Sequence, residues 1–204
     1  MITEIMLSEL RESVMSRLSP ERYAHTLGVE RAAARLGQFF MPDRIIELRA
    51  AALLHDIAKE MPHNEQMSAY LRYCGGNARP PVNAALHAFA GPRVIIESYP
   101  DFAIPDILDA VFNHTLGKPD MSVFSEIIFV ADFVEDGRVY ESCRVAREEL
   151  FSALENSDTS EQRIRALHTS VVHILEFTVA FLEKRGIKID EASLLTKNAY
   201  EALI

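Results

Sequence analysis

Apolar residues in this chain recur at steps of three and four along almost its whole length. No segment alternates apolar with polar for long enough to make a half-buried strand. That regularity confines the chain to helix packed on helix. Leu7, Leu10, Val14 and Leu18 take such steps behind Thr3, a cap candidate. Ser19-Pro20, a capping residue followed by proline at the first helical position, predicts a helix from Pro20 to about Phe40. Asp43 is the cap candidate for a third, which carries Ile46, Ala50, Leu53 and Leu54 into His55-Asp56 and ends before Pro62. A short helix runs from about Asn64 to Gly75-Gly76, and Arg79-Pro80-Pro81 is a connection. The segment around His87 is followed by two breakers, Gly91-Pro92 and Tyr99-Pro100. Ile104-Pro105-Asp106 opens a helix that reaches His114, and Leu116-Gly117-Lys118-Pro119 is a loop. Asp120 or Ser122 then caps a strongly apolar helix through Ile127, Val130, Ala131 and Val134, which Asp136-Gly137 ends. Helices over about Tyr140–Glu155 and Ser160–Arg185, with Gly186 as a stop, precede a last one from about Asp190. The expected fold is all-α: a single-domain helical bundle over residues 1–204, with a motif core at about 20–140 and C-terminal helices at about 140–204 packing on it.

Charge narrows the partners. Thirty acidic residues stand against 21 basic ones, a formal net charge of −9, with no basic stripe along any helix. A nucleic-acid polymer is therefore disfavoured as a partner. An anionic ligand would have to be held by something other than net charge. No run approaches the roughly 18 uninterrupted apolar residues of a membrane span, so no membrane partner is expected. Met1 to Leu18 carries Glu4, Glu9 and Glu12 among its apolar positions, which is wrong for a signal peptide. Cys74 and Cys143 form no CxxC, and the chain reads as cytoplasmic with reduced thiols.

The chemistry lies in charged residues set into apolar helices. His55 and Asp56 are adjacent at the end of the apolar face Ala50 to Leu54, where a buried aspartate needs a metal or a charged partner. Asp132 sits in Ile127-Ile128-Phe129-Val130-Ala131-Asp132-Phe133-Val134, the most apolar run of the chain. An isolated carboxylate there would shift its pKa upward or find a cation. His25 lies mid-helix in Tyr23-Ala24-His25-Thr26-Leu27-Gly28-Val29, and His87 and His114 fall between the doublet and Asp132. A lone His-Asp pair is a weak motif; the ordered set of six is far more specific. His63, His168 and His173 lie outside every motif block and read as structural or exposed, and Glu135-Asp136 reads as a helix end and a turn.

The order His25, His55-Asp56, Asp132 resembles the HD superfamily of metal-dependent phosphohydrolases, whose defining arrangement is H…HD…D on separate helices. His87 and His114 stand where two-metal members place further ligands. Four blocks extend the likeness: Tyr23 to Val29, Ala52-Leu53-Leu54-His55-Asp56-Ile57-Ala58-Lys59, His114 to Ser122, and Val130 to Arg138. They resemble the bacterial YqeK family, firmly from about Arg22 to Arg138 and loosely in the tail. The family cuts diadenosine tetraphosphate into two ADP with a di-iron centre, so the resemblance implies a symmetrical bis(5′-nucleosyl)-tetraphosphatase. The tail departs from the family pattern of a His-Pro pair and a threonine ahead of an asparagine, since Asp190-Glu191-Ala192-Ser193 precedes Asn198.

Four imidazoles and two carboxylates favour Fe, Mn, Co or Ni over Mg or structural Zn, and of these the family resemblance implies iron. Asp56 can bridge two divalent metals, with His25, His55, Asp56 and Asp132 on one and Asp56, His87 and His114 on the other. Two metals can hold a shared hydroxide as nucleophile and clamp a phosphate oxygen. Lys59 and Arg138 are expected to act with Asp56 in catalysis and to hold the phosphates. Arg22, Thr115 and Gly117 are further substrate-binding candidates. Three other functions remain open on the residues: a nucleotidase or phosphodiesterase acting on another nucleotide, a di-iron oxygenase, and a nucleotide-binding module without turnover. A homodimer is also left open.

Overall fold

The helix α3 (Ile45–Leu54) is largely apolar, with Glu47 and Arg49 its only charged residues, and Leu48 with the run Ala50–Leu54 is fully buried. A helix so apolar needs neighbours on most of its sides. It finds them in α1 (Glu4–Arg17), α2 (Pro20–Phe40), α6 (Pro105–Asn113) and α7 (Val123–Val134). Small residues let these helices close up: a Cβ on Gly37 of α2 would lie 2.8 Å from a Leu48 methyl. The computed structural model describes residues 2–76 and 78–204. Met1, the first residue of the stretch read against a signal peptide, lies outside them.

The remaining helices are α4 (His63–Cys74), α5 (Leu86–Ser98), α8 (Glu141–Glu155), α9 (Ser160–Lys184) and α10 (Glu191–Glu201). Among the described residues there is no strand, so the fold is all-α. The caps are local and mostly those the sequence names. Side chains of Thr3, Ser19, Ser122 and Asp190 accept backbone N–H groups at the starts of α1, α2, α7 and α10. Gly75 and Gly186 take positive φ values where α4 and α9 stop. α7 joins the two parts of the bundle, packing on α2, α3 and α6 on one side and on α8 and α9 on the other.

Three expectations need correction. Asp43 does not cap α3; it lies within a 3-10 turn, Pro42–Arg44, that feeds the helix directly. α3 does not continue to Lys59. It stops at Leu54, and the chain proceeds by tight turns in which Ile57 N–H donates to Leu54 and Lys59 N–H to Asp56. Gly91-Pro92 does not break the segment at His87, because both residues are buried inside α5. An interior proline costs a helix about 3 kcal/mol, yet α5 continues through Pro92. Beside it Gly91 packs closely on α6, where a Cβ would meet a Val111 methyl at 2.6 Å. By length and composition alone α9 is long and apolar enough to cross a membrane. It packs against α7, α8 and α10.

Candidate metal centre

Two of the histidines are the residues at which helices end. His55 follows the last residue of α3 and His114 follows the last of α6. Each ring turns back on its own helix: His55 Nδ1 donates to the Ala52 carbonyl at 2.6 Å and His114 Nδ1 to that of Val111 at 2.7 Å. A proton fixed on Nδ1 leaves Nε2 with a lone pair aimed away from the helix. His25, on α2, is oriented differently. Its Nδ1 lies 3.2 Å from Oε1 of Glu135 and its Nε2 lies 3.0 Å from Oδ1 of Asp132 on α7.

The lone pairs converge on two carboxylates. Asp56 Oδ1 is 3.1 Å from His87 Nε2 and 3.6 Å from His114 Nε2, while its Oδ2 is 3.5 Å from His55 Nε2. His87 Nε2 and His114 Nε2 are 3.2 Å apart. Potential donor atoms form three mutually close groups: His25, His55 and Asp56; His55, His114 and Asp132; and Asp56, His87 and His114. Asp56 belongs to two of the three, as a bridging carboxylate would. The buried Nε2 atoms of His25 and His55 have no hydrogen-bond partner. Buried polar atoms are normally satisfied, and a cation among these atoms and the carboxylate of Asp132, 3.0 Å from His25 Nε2, would satisfy both.

The electrostatics agree. Burial alone would push Asp56 up, but His55, His114 and His87 around it hold its carboxyl well below the usual range. For Asp132 burial is again overcome, here by the Arg138 guanidinium and by His25. Burial lowers His87 to about 4, despite its contact with Asp56. Ionised carboxylates beside a neutral imidazole are the forms a divalent metal takes as ligands.

Beside these groups a cleft of about 520 Å³ opens. Lys59, Arg22, Arg138 and Thr115 all line it. Lys59 Nζ sits 3.2 Å from His87 Nε2 and 4.0 Å from Asp56 Oδ1, and burial lowers its pKa. Arg22 Nη1 donates to Asp56 Oδ2 at 2.8 Å, and Arg138 Nη2 to Asp132 Oδ1 at 2.6 Å. Thr115 Oγ1 lies 3.3 Å from His87 Nε2. Gly117 is not beside them. It is buried with φ 70°, and a Cβ there would meet Thr196 of α10 at 2.7 Å. Gly117 is expected from the sequence to bind substrate; the structure gives it a packing role, set by the close approach of α10.

Some residues of the site were not legible as such. Glu135, read as a helix end, is 2% exposed and orients His25 while accepting the Gly137 N–H at 2.6 Å. Its signal was its place one turn after Asp132 together with Gly28 opposite, where a Cβ would fall 2.0 Å from Glu135 Oε2. Arg147 of α8 holds the Arg138 loop by donating to the carbonyls of Val134 (2.6 Å), Glu135 and Arg138 (3.0 Å). Nothing in its local sequence marks it.

Residues 22–135 match the family model described as "HD domain", and this is more than half of the 204 residues. The chain belongs to the HD domain family, whose fold and His/Asp clusters suit a divalent metal. Its relatives narrow the comparison. It is 29% identical over 186 residues, 91% of this chain and 92% of the relative, to "Bis(5′-nucleosyl)-tetraphosphatase, symmetrical" of Bacillus subtilis. It is 28% identical over 193 residues, 91% of each chain, to the protein of the same name from Halalkalibacterium halodurans. Among solved structures it is similar, with a TM-score of 0.78 and 25% identity over 96% of each chain, to one from Clostridium acetobutylicum. That protein is described as a "predicted HD superfamily hydrolase involved in NAD metabolism".

Proposed function

We propose that this protein is a metal-dependent hydrolase that cuts diadenosine tetraphosphate symmetrically into two ADP. The observation that carries the reading is a cluster of four histidines and two carboxylates, four of whose members (Asp56, His87, His114 and Asp132) open onto a cleft also lined by Lys59, Arg22 and Arg138. The full-length relatives that bear the name of this activity support it. We take residues 1–204 as one domain and the enzyme as cytoplasmic.

His25, His55, Asp56, His87, His114 and Asp132 would hold two divalent transition metals, iron first. Bound there, they supply Lewis-acid charge against phosphate oxygens and water of lowered pKa. The chain's own residues do the rest. Backbone carbonyls fix the His55 and His114 tautomers, and Glu135 fixes His25, so the ligand atoms are set before substrate arrives. Lys59 and Arg138 face the cleft as donors to the phosphate chain, where charge develops as the central phosphoanhydride breaks. Arg22 and Thr115 extend that donor row. An acidic protein thereby holds a polyanion by local rather than net charge.

The test is anaerobic purification, metal analysis and incubation with diadenosine tetraphosphate, with the products resolved by ion exchange. H55A and D56A run in parallel. About two metals per chain and ADP as sole product, both lost in the variants, are expected. AMP with ATP would overturn the symmetrical cut. Full metal content without turnover would overturn the hydrolase.

A further inference from the structure

The lining of the cleft is of two chemical kinds, and the phosphate chemistry uses only one. The other is largely aromatic: Phe177 and Phe181 of α9 and Arg185, the residue just past its end, recur at steps of four on the cleft's wall. Phe133, next to Asp132 on α7, and Tyr140, just ahead of α8, complete this wall. The rings of Phe133 and Phe177 lie within 6° of parallel, with centroids 6.4 Å apart. Phe181 is 51% exposed and Tyr140 71% exposed. The Arg185 guanidinium already lies over the Phe181 ring, 4.3 Å from its centroid. Large exposed rings in a charged cleft have no part in a metal centre or in holding phosphate. They offer flat, uncharged faces to whatever flat group the phosphates bring with them.

We propose that Phe133, Phe177, Phe181 and Tyr140 form the seat for a nucleobase of the substrate, held by stacking while the phosphates reach the histidine and aspartate cluster. The proposal rests on the hydrolase reading above and adds where the nucleoside binds. Its occupant is fixed by continuity. The wall and the cationic row of Lys59 and Arg138 line the same cleft, and a nucleotide is the ligand that is flat and apolar at one end and anionic at the other. Arg185, displaced from or retained over the ring, would add a cation–π contact to the stack.

The experiment compares ADP with inorganic pyrophosphate as ligands of the metal-loaded protein by titration calorimetry. Wild type, F181A, Y140A and F181Y are measured. Both target rings are largely exposed, so their removal does not threaten the core. Wild type should bind ADP more tightly than pyrophosphate. F181A and Y140A should each weaken ADP by about tenfold, the worth of one stacked base, and leave pyrophosphate unchanged. F181Y should retain wild-type affinity. In turnover the F181A loss should fall on KM. Equal losses for ADP and pyrophosphate, or ADP affinity unchanged in both alanine variants, would overturn the seat. Failure of wild type to cleave the dinucleotide would overturn the hydrolase reading instead, and the ADP-to-pyrophosphate ratio would still decide the seat.

Discussion

Glu126 is 3% exposed on α7 and faces away from the cleft, toward α9 and α10. Tyr200 donates to its Oε1 at 2.7 Å, His168 Nε2 lies 3.5 Å from the same oxygen, and Oε2 has no partner. Burial pushes this carboxyl up to about 7, from an ordinary 4.5, against the smaller opposing effect of the Tyr200 hydrogen bond. Between those two values the folded chain keeps a proton that the unfolded chain has released. Stability therefore falls as pH rises through the window, by about 1.4 kcal/mol for each pH unit and about 3 kcal/mol across it. The full benefit is present below pH 4.5 and gone above pH 7. In E126Q the side chain is neutral throughout and still accepts from Tyr200, so this slope disappears. Denaturation of both proteins from pH 4.5 to 8 should show E126Q gaining about 3 kcal/mol on wild type, or about 6–12 °C in Tm for a domain of this size. His168, whose pKa burial lowers, contributes a slope of the opposite sign, and because its Nε2 lies 3.5 Å from the Glu126 carboxylate the two proteins are compared in an H168N background, which removes that slope from both. Tyr200 is raised and titrates far above the window. A difference that stays flat with pH would refute the argument, because a satisfied or solvated Glu126 would titrate as it does unfolded.

Three further outcomes follow from the site and its supports. E135Q should weaken metal affinity about 10–100-fold, as loss of a carboxylate behind a ligating histidine does, with an unchanged circular dichroism spectrum; metal titration measures it. G117A should cost about 1–3 kcal/mol through its positive φ and the Thr196 contact, while leaving KM for diadenosine tetraphosphate near wild type. A rise in KM without loss of stability would return Gly117 to the substrate site. Iron at 100 times its dissociation constant should stabilise the chelator-treated protein by about 2.7 kcal/mol, read as a Tm increase of about 5–11 °C, and D56N should abolish the increase.

What was legible in the sequence was whatever depends on neighbours three or four residues away. The caps at Thr3, Ser19 and Ser122, the stops at Gly75 and Gly186 and the apolar stripes are local, and the helices lie where they point. The candidate centre was legible for other reasons: Asp56 and Asp132 because charge inside an apolar run is costly and must be matched in space, and the four histidines through their order around the His55-Asp56 pair and the family resemblance it carries. What was not legible arises from contacts between distant segments. Gly91 is small because α6 packs against it, and Gly117 because α10 crosses it. Glu135 looks like a surface carboxylate until Gly28, more than a hundred residues earlier, is seen to leave room for it. The aromatic wall was hidden in the same way, since Phe177 and Phe181 fit the apolar stripe of an ordinary helix and only the turn after α7 brings Tyr140 opposite them.

His55 and His114 show how closely the helix ends and the chemistry are joined. Carbonyls of a last helical turn lose their intrahelical donors, and a histidine just past the end can supply one from Nδ1. Both residues do so, each to the carbonyl three residues back. The bond satisfies the helix, fixes the tautomer and aims Nε2 at Asp56, which follows His55 in the turn after α3 and which His114 reaches from α6. The negative end of the helix dipole lies at the same place, favouring a cation there. Moving either histidine one position would turn its ring by about 100° around the helix axis and lose both the carbonyl and the aspartate. The spacing that ends α3 and α6 is thus the spacing that builds the centre. A helix-terminal histidine followed by aspartate is accordingly a more specific signal than the dipeptide alone.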